Sequence, residues 1–100
     1  GLCFDTGHAN MVADVPSALR AAGKQIVYVH FSDNSGGNDE HEMPTYGSLD
    51  TAGVAAALRE IRYRGTLMLE VFHDADRLRK LIDAGCAERL ADFLAAAGGN

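Results

Sequence analysis

The sequence predicts an α/β fold of parallel strands with flanking helices, and three observations predict it. Short apolar runs recur three times, each ends on an acid or a histidine, and each is followed by loop residues and then a stretch with helical spacing. Leu2-Cys3-Phe4 leads into Asp5-Thr6-Gly7-His8, Ile26-Val27-Tyr28-Val29 into His30, and Leu67-Met68-Leu69 into Glu70. A strand buried on both faces reads as a near-continuous apolar run, as parallel sheets require. Alternating strands and helices imply parallel pairing through right-handed crossovers. Polar residues at the carboxyl ends of such strands face the ligand. Asp5, His30 and Glu70, delivered to one rim from three strands, look like the donor set of a divalent metal site.

The first unit is a strand at 2–5, a loop at 6–14 and a helix at 15–22. Pro16 is tolerated in a helix's first turn, and Gly23 is a C-terminal stop. The second unit has a strand at 26–31, a long loop over 32–49 and a helix over 50–62, with Asp50 or Thr51 as N-cap. Within that helix Val54, Leu58 and Ile61 fall at helical spacing. The third unit has a strand at 66–71, a loop at 72–74 and one or two helices over 75–97, with Gly85 as the break. There Leu78, Leu81 and Ile82, then Leu90, Phe93 and Leu94, repeat on one face.

A chain of 100 residues is at most one domain with a modest core. A net charge of −5 argues against a broad nucleic-acid or acidic-membrane surface. No stretch approaches the roughly 20 apolar residues that span a bilayer, and no export signal is visible. Cys3 and Cys86 make no disulfide framework and have no C-x-x-C partner, so both are expected as buried thiols of a reducing, cytoplasmic protein. Three parallel strands leave two open edges. The expectation is a piece of something larger, either a fragment of a longer enzyme or a protomer that pairs with other copies as a homo-oligomer.

The runs D-T-G-H-A-N (Asp5 to Asn10), V-H-F-S-D-N (Val29 to Asn34), D-E-H (Asp39 to His41) and L-E-V-F (Leu69 to Phe72) together resemble the C-terminal portion of xylose-isomerase-like barrels. Within them the similarity is to the sugar phosphate isomerase/epimerase group, in register over about residues 1–95. The resemblance implies a (β/α)₈ TIM barrel of about 250 residues or more. Residues 1–100 would form a single partial TIM-barrel domain holding about three β/α units, strands six to eight of the family. It further implies a divalent metal held by a glutamate from an earlier strand, then by an aspartate, a histidine and a glutamate that map onto Asp5, His30 and Glu70. The earlier glutamate has no counterpart here.

Oxygen-rich ligands with one imidazole suit Mn²⁺, Mg²⁺ or Co²⁺, and Zn²⁺ also fits. By the same resemblance Glu70 is a catalytic acid/base, and His8 contacts substrate oxygen or a second metal. The substrate would be a small sugar or sugar phosphate. Asp39 and His41 form D-x-H, where i and i+2 point the same way in extended chain. In related apurinic endonucleases this motif supplies ligands to a trinuclear zinc cluster, and Asp5, His8, His30, Asp39, His41 and Glu70 all match that pattern. Isomerase relatives keep it commonly as D-x-H-x-P-x-G-x-G. Here the run is D-E-H-E-M-P-T-Y-G, with proline shifted by one and Thr45 where glycine is common.

Three function classes follow. The first is a metal-dependent isomerase or epimerase acting through an enediolate, of which this chain is the C-terminal part and in isolation weakly active or inactive. The second is a zinc-dependent endonuclease-like phosphodiesterase. The third is a non-catalytic, self-associating barrel fragment. Asp33 and Asn34 are expected to order the long loop or lie near substrate, and His73 and Asp74 to start the last helix. Arg59, Arg62, Arg64, Arg77, Arg79 and Lys80 are expected as solvated charge.

Overall fold

Strand and helix alternate as the apolar spacing predicts. A computed structural model describes residues 1–98. In order they form β1 (Leu2–Asp5), α1 (Thr6–Val12), α2 (Val15–Ala22), a 3₁₀ turn (Gly23–Gln25), β2 (Ile26–Phe31), α3 (Thr51–Glu60), β3 (Thr66–Leu69), α4 (Ala75–Asp83) and α5 (Cys86–Ala96). The sheet has the order β1-β2-β3 with both pairings parallel. Alternation along β2 sends Val29 and Phe31 to one face and Tyr28 and His30 to the other. On the first face Val15 and Leu19 of α2, Val54, Ala57 and Leu58 of α3, and Phe93 of α5 close over Val29 and Phe31, and Ile26 joins the same cluster across the register shift at the start of β2. Phe31 stacks on Phe93 with centroids 4.6 Å apart. Buried leucines of this kind stabilise by about 1.5–3 kcal/mol each.

The strands are not buried on both faces as their apolar runs suggest. The helices cover one side, and on the other Cys3 is exposed and Met68 is 43% exposed. Cys3 therefore departs from its expected burial, while Cys86 is buried with Met43 and Leu81 in a second, smaller cluster. The uncovered face is the one that carries the polar strand ends.

Helix termini follow the expected chemistry. Asp50 caps α3 by accepting from Gly53 N, and Asp74 caps α4 by accepting from Arg77 N. Gly23 stops α2 with φ +54°, and Gly85, at φ +96°, separates α4 from α5. One segment is a correction: residues expected as loop at 6–14 include the helix α1. It has no apolar stripe, and its buried residues are Thr6 and Gly7. What starts it is the Asp5 carboxylate, whose Oδ1 accepts from His8 N at 2.8 Å. The remaining departures are small. Ile82 and Leu94 are exposed, β3 ends at Leu69, and α3 runs from Thr51 to Glu60.

The long segment between β2 and α3 is folded back on itself around Asp33. That side chain is fully buried, yet its oxygens accept four backbone N–H groups. Oδ1 takes Asn34 N and Leu49 N, each at 2.8 Å, and Oδ2 takes Thr45 N and Gly47 N, each at 3.1 Å. Gly47 passes so close that a Cβ there would sit 2.4 Å from Oδ1. An antiparallel bridge pairs Asp33 with Glu42. Of the two roles expected for Asp33, the ordering of the loop is the one these contacts describe.

Replacing Asp33 by Ala leaves four backbone donors without that acceptor, at about 1–3 kcal/mol for each one that stays unpaired. The expected loss is at least about 3 kcal/mol in urea unfolding, and a loss under about 1 kcal/mol would contradict this role. Thr45 has φ +80°, a conformation costly for a β-branched residue, and its hydroxyl is buried without a partner. Thr45→Gly keeps the N–H that Asp33 accepts and removes both costs. The expected gain is about 1 kcal/mol, read as a higher Tm.

Candidate metal centre

The parallel register brings the donors together. Asp5 lies level with His30 across β1 and β2, and His30 with Met68 across β2 and β3. Glu70, two residues beyond Met68, continues the ladder by donating its N–H to Phe31 O at 3.0 Å. Asp5, His30 and Glu70 thus stand on the uncovered face at the carboxyl ends of three strands. One ligand atom from each lies within 4.8 Å of the others. His30 Nδ1 is 3.2 Å from Glu70 Oε1 and 3.9 Å from Asp5 Oδ2. Tyr28, on the same face, meets the His30 ring edge-on at 5.5 Å.

The other three candidate residues join the same constellation. His8 Nδ1 lies 3.5 Å from Asp5 Oδ2, and its Nε2 lies 2.9 Å from Asp39 Oδ2. His41 Nε2 lies 3.2 Å from that same Asp39 oxygen, while its Nδ1 is 3.2 Å from the Glu70 carbonyl. Glu70, His30, Asp5, His8, Asp39 and His41 therefore form a closed ring of contacts. The Glu70 carbonyl can only accept, so His41 Nδ1 carries hydrogen. Its Nε2 then meets an Asp39 carboxylate oxygen, a pair that could share a cation. Asp39 Oδ1 is buried without a hydrogen-bond partner. His41 is held by stacking on Phe72, with centroids 3.9 Å apart and planes 5° apart.

The donor set fits a hard or borderline cation. Two carboxylates and an imidazole meet with no Lys or Arg within salt-bridge distance of Asp5, Asp39 or Glu70 among the described residues. Half-buried like charges of that kind need a counter-charge. Nearby, Glu40 is held below the usual carboxylate range by the Ser35 backbone N–H, with the Ser35 hydroxyl adding to it. At the far end of the sheet, burial raises Tyr63 above the usual phenol range, with Cys3 and Tyr28 contributing.

Thr6, Gly7 and Asn10 also build the site without having been singled out, and Asn34, expected to order the loop, joins them. Thr6 Oγ1 donates to Ser32 O at 2.8 Å and accepts from Ser32 N at 3.1 Å, so a buried side chain prolongs the β1–β2 ladder beyond both strands. Asn34 Nδ2 donates to Gly7 O at 2.8 Å, and Asn34 Oδ1 accepts from Asn10 Nδ2 at 2.7 Å. A Cβ on Gly7 would lie 2.6 Å from Ser32 Oγ and 3.2 Å from Asp39 Oδ1. The T-G-x-x-N and S-D-N runs signal these partners only once they are seen as two sides of one joint. His73, expected to start a helix, instead lies with Nε2 2.7 Å from Glu42 Oε2. Arg77 reaches the same carboxylate at 3.4 Å, so it is not free solvated charge.

Thr6→Val keeps the shape and removes both hydroxyl bonds. It is expected to cost about 1–2 kcal/mol and to leave a Ser32 N–H exchanging faster with deuterium. Unchanged exchange at Ser32 would contradict the joint.

Comparison with known proteins identifies the fold family. The model of the xylose isomerase-like TIM barrel family matches residues 1–96. An uncharacterized protein of Methanocaldococcus jannaschii is 37% identical over 73 residues, 70% of this chain and 25% of that protein. Mannonate dehydratase of Oceanobacillus iheyensis is 32% identical over 74 residues, 67% of this chain and 21% of the enzyme. D-psicose 3-epimerase of Enterocloster bolteae is 32% identical over 72 residues, 71% and 22% of the two chains. The crystal structure of a D-tagatose 3-epimerase-like protein superposes with a TM-score of 0.79 at 28% identity, over 98% of this chain and 36% of that one. The chain spans about a quarter of the length of the curated relatives it matches. Its three-stranded parallel sheet with flanking helices is a partial TIM barrel, and the chain belongs to the xylose isomerase-like TIM barrel family.

Proposed function

We propose that this chain carries three protein ligands, Asp5, His30 and Glu70, of a divalent-metal centre serving a sugar or sugar phosphate isomerase or epimerase. The observation that carries the reading is the meeting of these side chains at three strand ends, where ligand atoms lie within 4.8 Å of one another. Similarity to a D-psicose 3-epimerase and to a D-tagatose 3-epimerase-like protein supports the substrate class. Mn²⁺, Mg²⁺ or Co²⁺ suit the two carboxylates and one imidazole, and Zn²⁺ is a further fit. When bound, such an ion supplies Lewis-acid polarisation of a carbonyl and its neighbouring hydroxyl, which stabilises an enediolate.

The chain's own residues would do the rest. The Glu70 carboxylate, backed by His30 Nδ1 at 3.2 Å, would take a proton from the carbon next to the carbonyl on one face of the sugar, leaving its return on the other face to a second group. His8, 68% exposed and tethered to Asp5 and Asp39, offers a nitrogen to substrate oxygen. A second carboxylate on the opposite face of the sugar is needed for inversion. In this reading it comes from a part of the barrel beyond these residues, and the isolated chain turns over weakly or not at all. The free edges of β1 and β3 would pair with further barrel strands or with another copy of the chain. No helix among the described residues is long and apolar enough to cross a membrane.

A second reading has its own observation. Asp39 Oδ2 lies between the Nε2 atoms of His8 and His41, which suits further metal ions and a phosphodiesterase of the endonuclease type. Metal stoichiometry separates the two.

Calorimetric titration of Mn²⁺ into the chelator-stripped chain is expected to give one site. Asp5→Ala, His30→Ala and Glu70→Ala should each weaken it at least about tenfold. Binding indifferent to all three would overturn the centre. Three Zn²⁺ per chain, lost with Asp39→Ala, would favour the phosphodiesterase.

A further inference from the structure

The amino ends of β2 and β3, at the opposite pole of the sheet from the metal centre, gather positive charge. Arg59, Arg62 and Arg64 line one cleft of about 210 Å³ with Tyr63, Ala97 and Gly98. Lys24 lines the adjoining cleft with Arg62, Tyr63 and Arg64. These are four of the nine Lys and Arg residues in a chain of net charge −5. No carboxylate among the described residues lies within salt-bridge distance of them. The adjacent Glu60 is taken by Arg20, Nε to Oε2 at 2.7 Å.

Arg62 also stands where a side chain is unfavourable. α3 ends with Tyr63 N donating to Leu58 O and Arg62 N to Arg59 O, the bond pair of a Schellman motif. Arg62 occupies its left-handed position, φ +58°, which usually falls to glycine. The negative end of the α3 dipole accounts for one cation in the last turn. It does not account for Arg64, two residues further on, or for a left-handed arginine.

We propose that this cleft binds a multiply charged phosphate group, such as inorganic pyrophosphate or the phosphate of a small phosphorylated ligand, between Arg59, Arg62 and Arg64. Guanidinium forks match phosphate oxygens in pairs. Lys24, at the cleft's edge, adds a point charge. The site is separate from the metal centre and does not draw on the reading of that centre.

The test is titration of the metal-free chain with sodium pyrophosphate at about 0.15 M salt, followed through the arginine Nε–Hε signals by NMR. Saturable shifts at Arg59, Arg62 and Arg64 with a Kd of about 1 mM or tighter are expected. Arg62→Gly should weaken binding about tenfold while the Tm stays level or rises, because glycine relieves the left-handed backbone. That pairing keeps lost binding distinct from lost folding. Arg64→Ser should weaken it similarly, and Arg79→Ser, on α4, should not. Non-saturable shifts, or equal losses in all three variants, mean unspecific screening and overturn the site.

Discussion

A buried carboxylate with no Lys or Arg in salt-bridge distance among the described residues organises this molecule. Moving Asp33 out of water is costly, and the cost is offset only because four backbone N–H groups converge on its two oxygens. Those donors come from Asn34 and from Thr45, Gly47 and Leu49, so one side chain ties the exit of β2 to the approach of α3. The loop between them must turn back, and the bridge from Asp33 to Glu42 fixes the return. The return places Asp39 and His41 over the strand ends. Glu42 then meets His73 and Arg77, which fastens the same loop to the segment after β3. An irregular stretch of this length would otherwise add little but entropy cost.

The strand ends depend on a second polar joint. Thr6 continues the β1–β2 ladder with its hydroxyl, and Asn34 reaches back to Gly7 and Asn10. Gly7 has no Cβ because Ser32 and Asp39 already fill that space. Asp5 gains a fixed orientation from this, since one oxygen caps α1 while the other faces His8 and His30. Its two oxygens therefore have different tasks, one structural and one directed at the centre. The ring of three carboxylates and three imidazoles is held by backbone register, hydrogen bonds and the aromatic contacts of Phe72 and Tyr28, while the main apolar cluster lies on the other side of the sheet.

How far the sequence discloses this follows from what kind of force holds each part. Elements buried by apolar contact were legible: β2, α3 and α5 announce themselves through Ile26, Val29, Val54, Leu58 and Phe93, because burial and spacing are two aspects of one packing surface. The meeting of the three strand-end side chains was legible for a related reason, since a charged residue closing an apolar run has few inexpensive places to go. Helix α1 was not, because a capping carboxylate and buried Thr6 and Gly7 leave no apolar period. The partners of Asp33 were not either, since backbone N–H groups have no residue identity. Cys3 and Met68 misled because an apolar strand residue reads the same whether its face is covered by a helix or left open. Thr45 was visible as a departure from glycine, and its φ of +80° gives that departure a physical meaning.

The open face and the donor set bear on each other. Asp5, His30 and Glu70 come from all three strands, and the two outer strands touch only through β2. Two carboxylates turned toward one imidazole on an uncovered face repel one another, with only the shared His30 nitrogen between them. A cation bound by all three would convert that repulsion into a cross-link from β1 to β3, added where apolar packing is absent. Metal affinity and sheet stability are then a single linked quantity. The helix-covered face holds the sheet together through burial, and the strand ends on its other face bring the charged groups together.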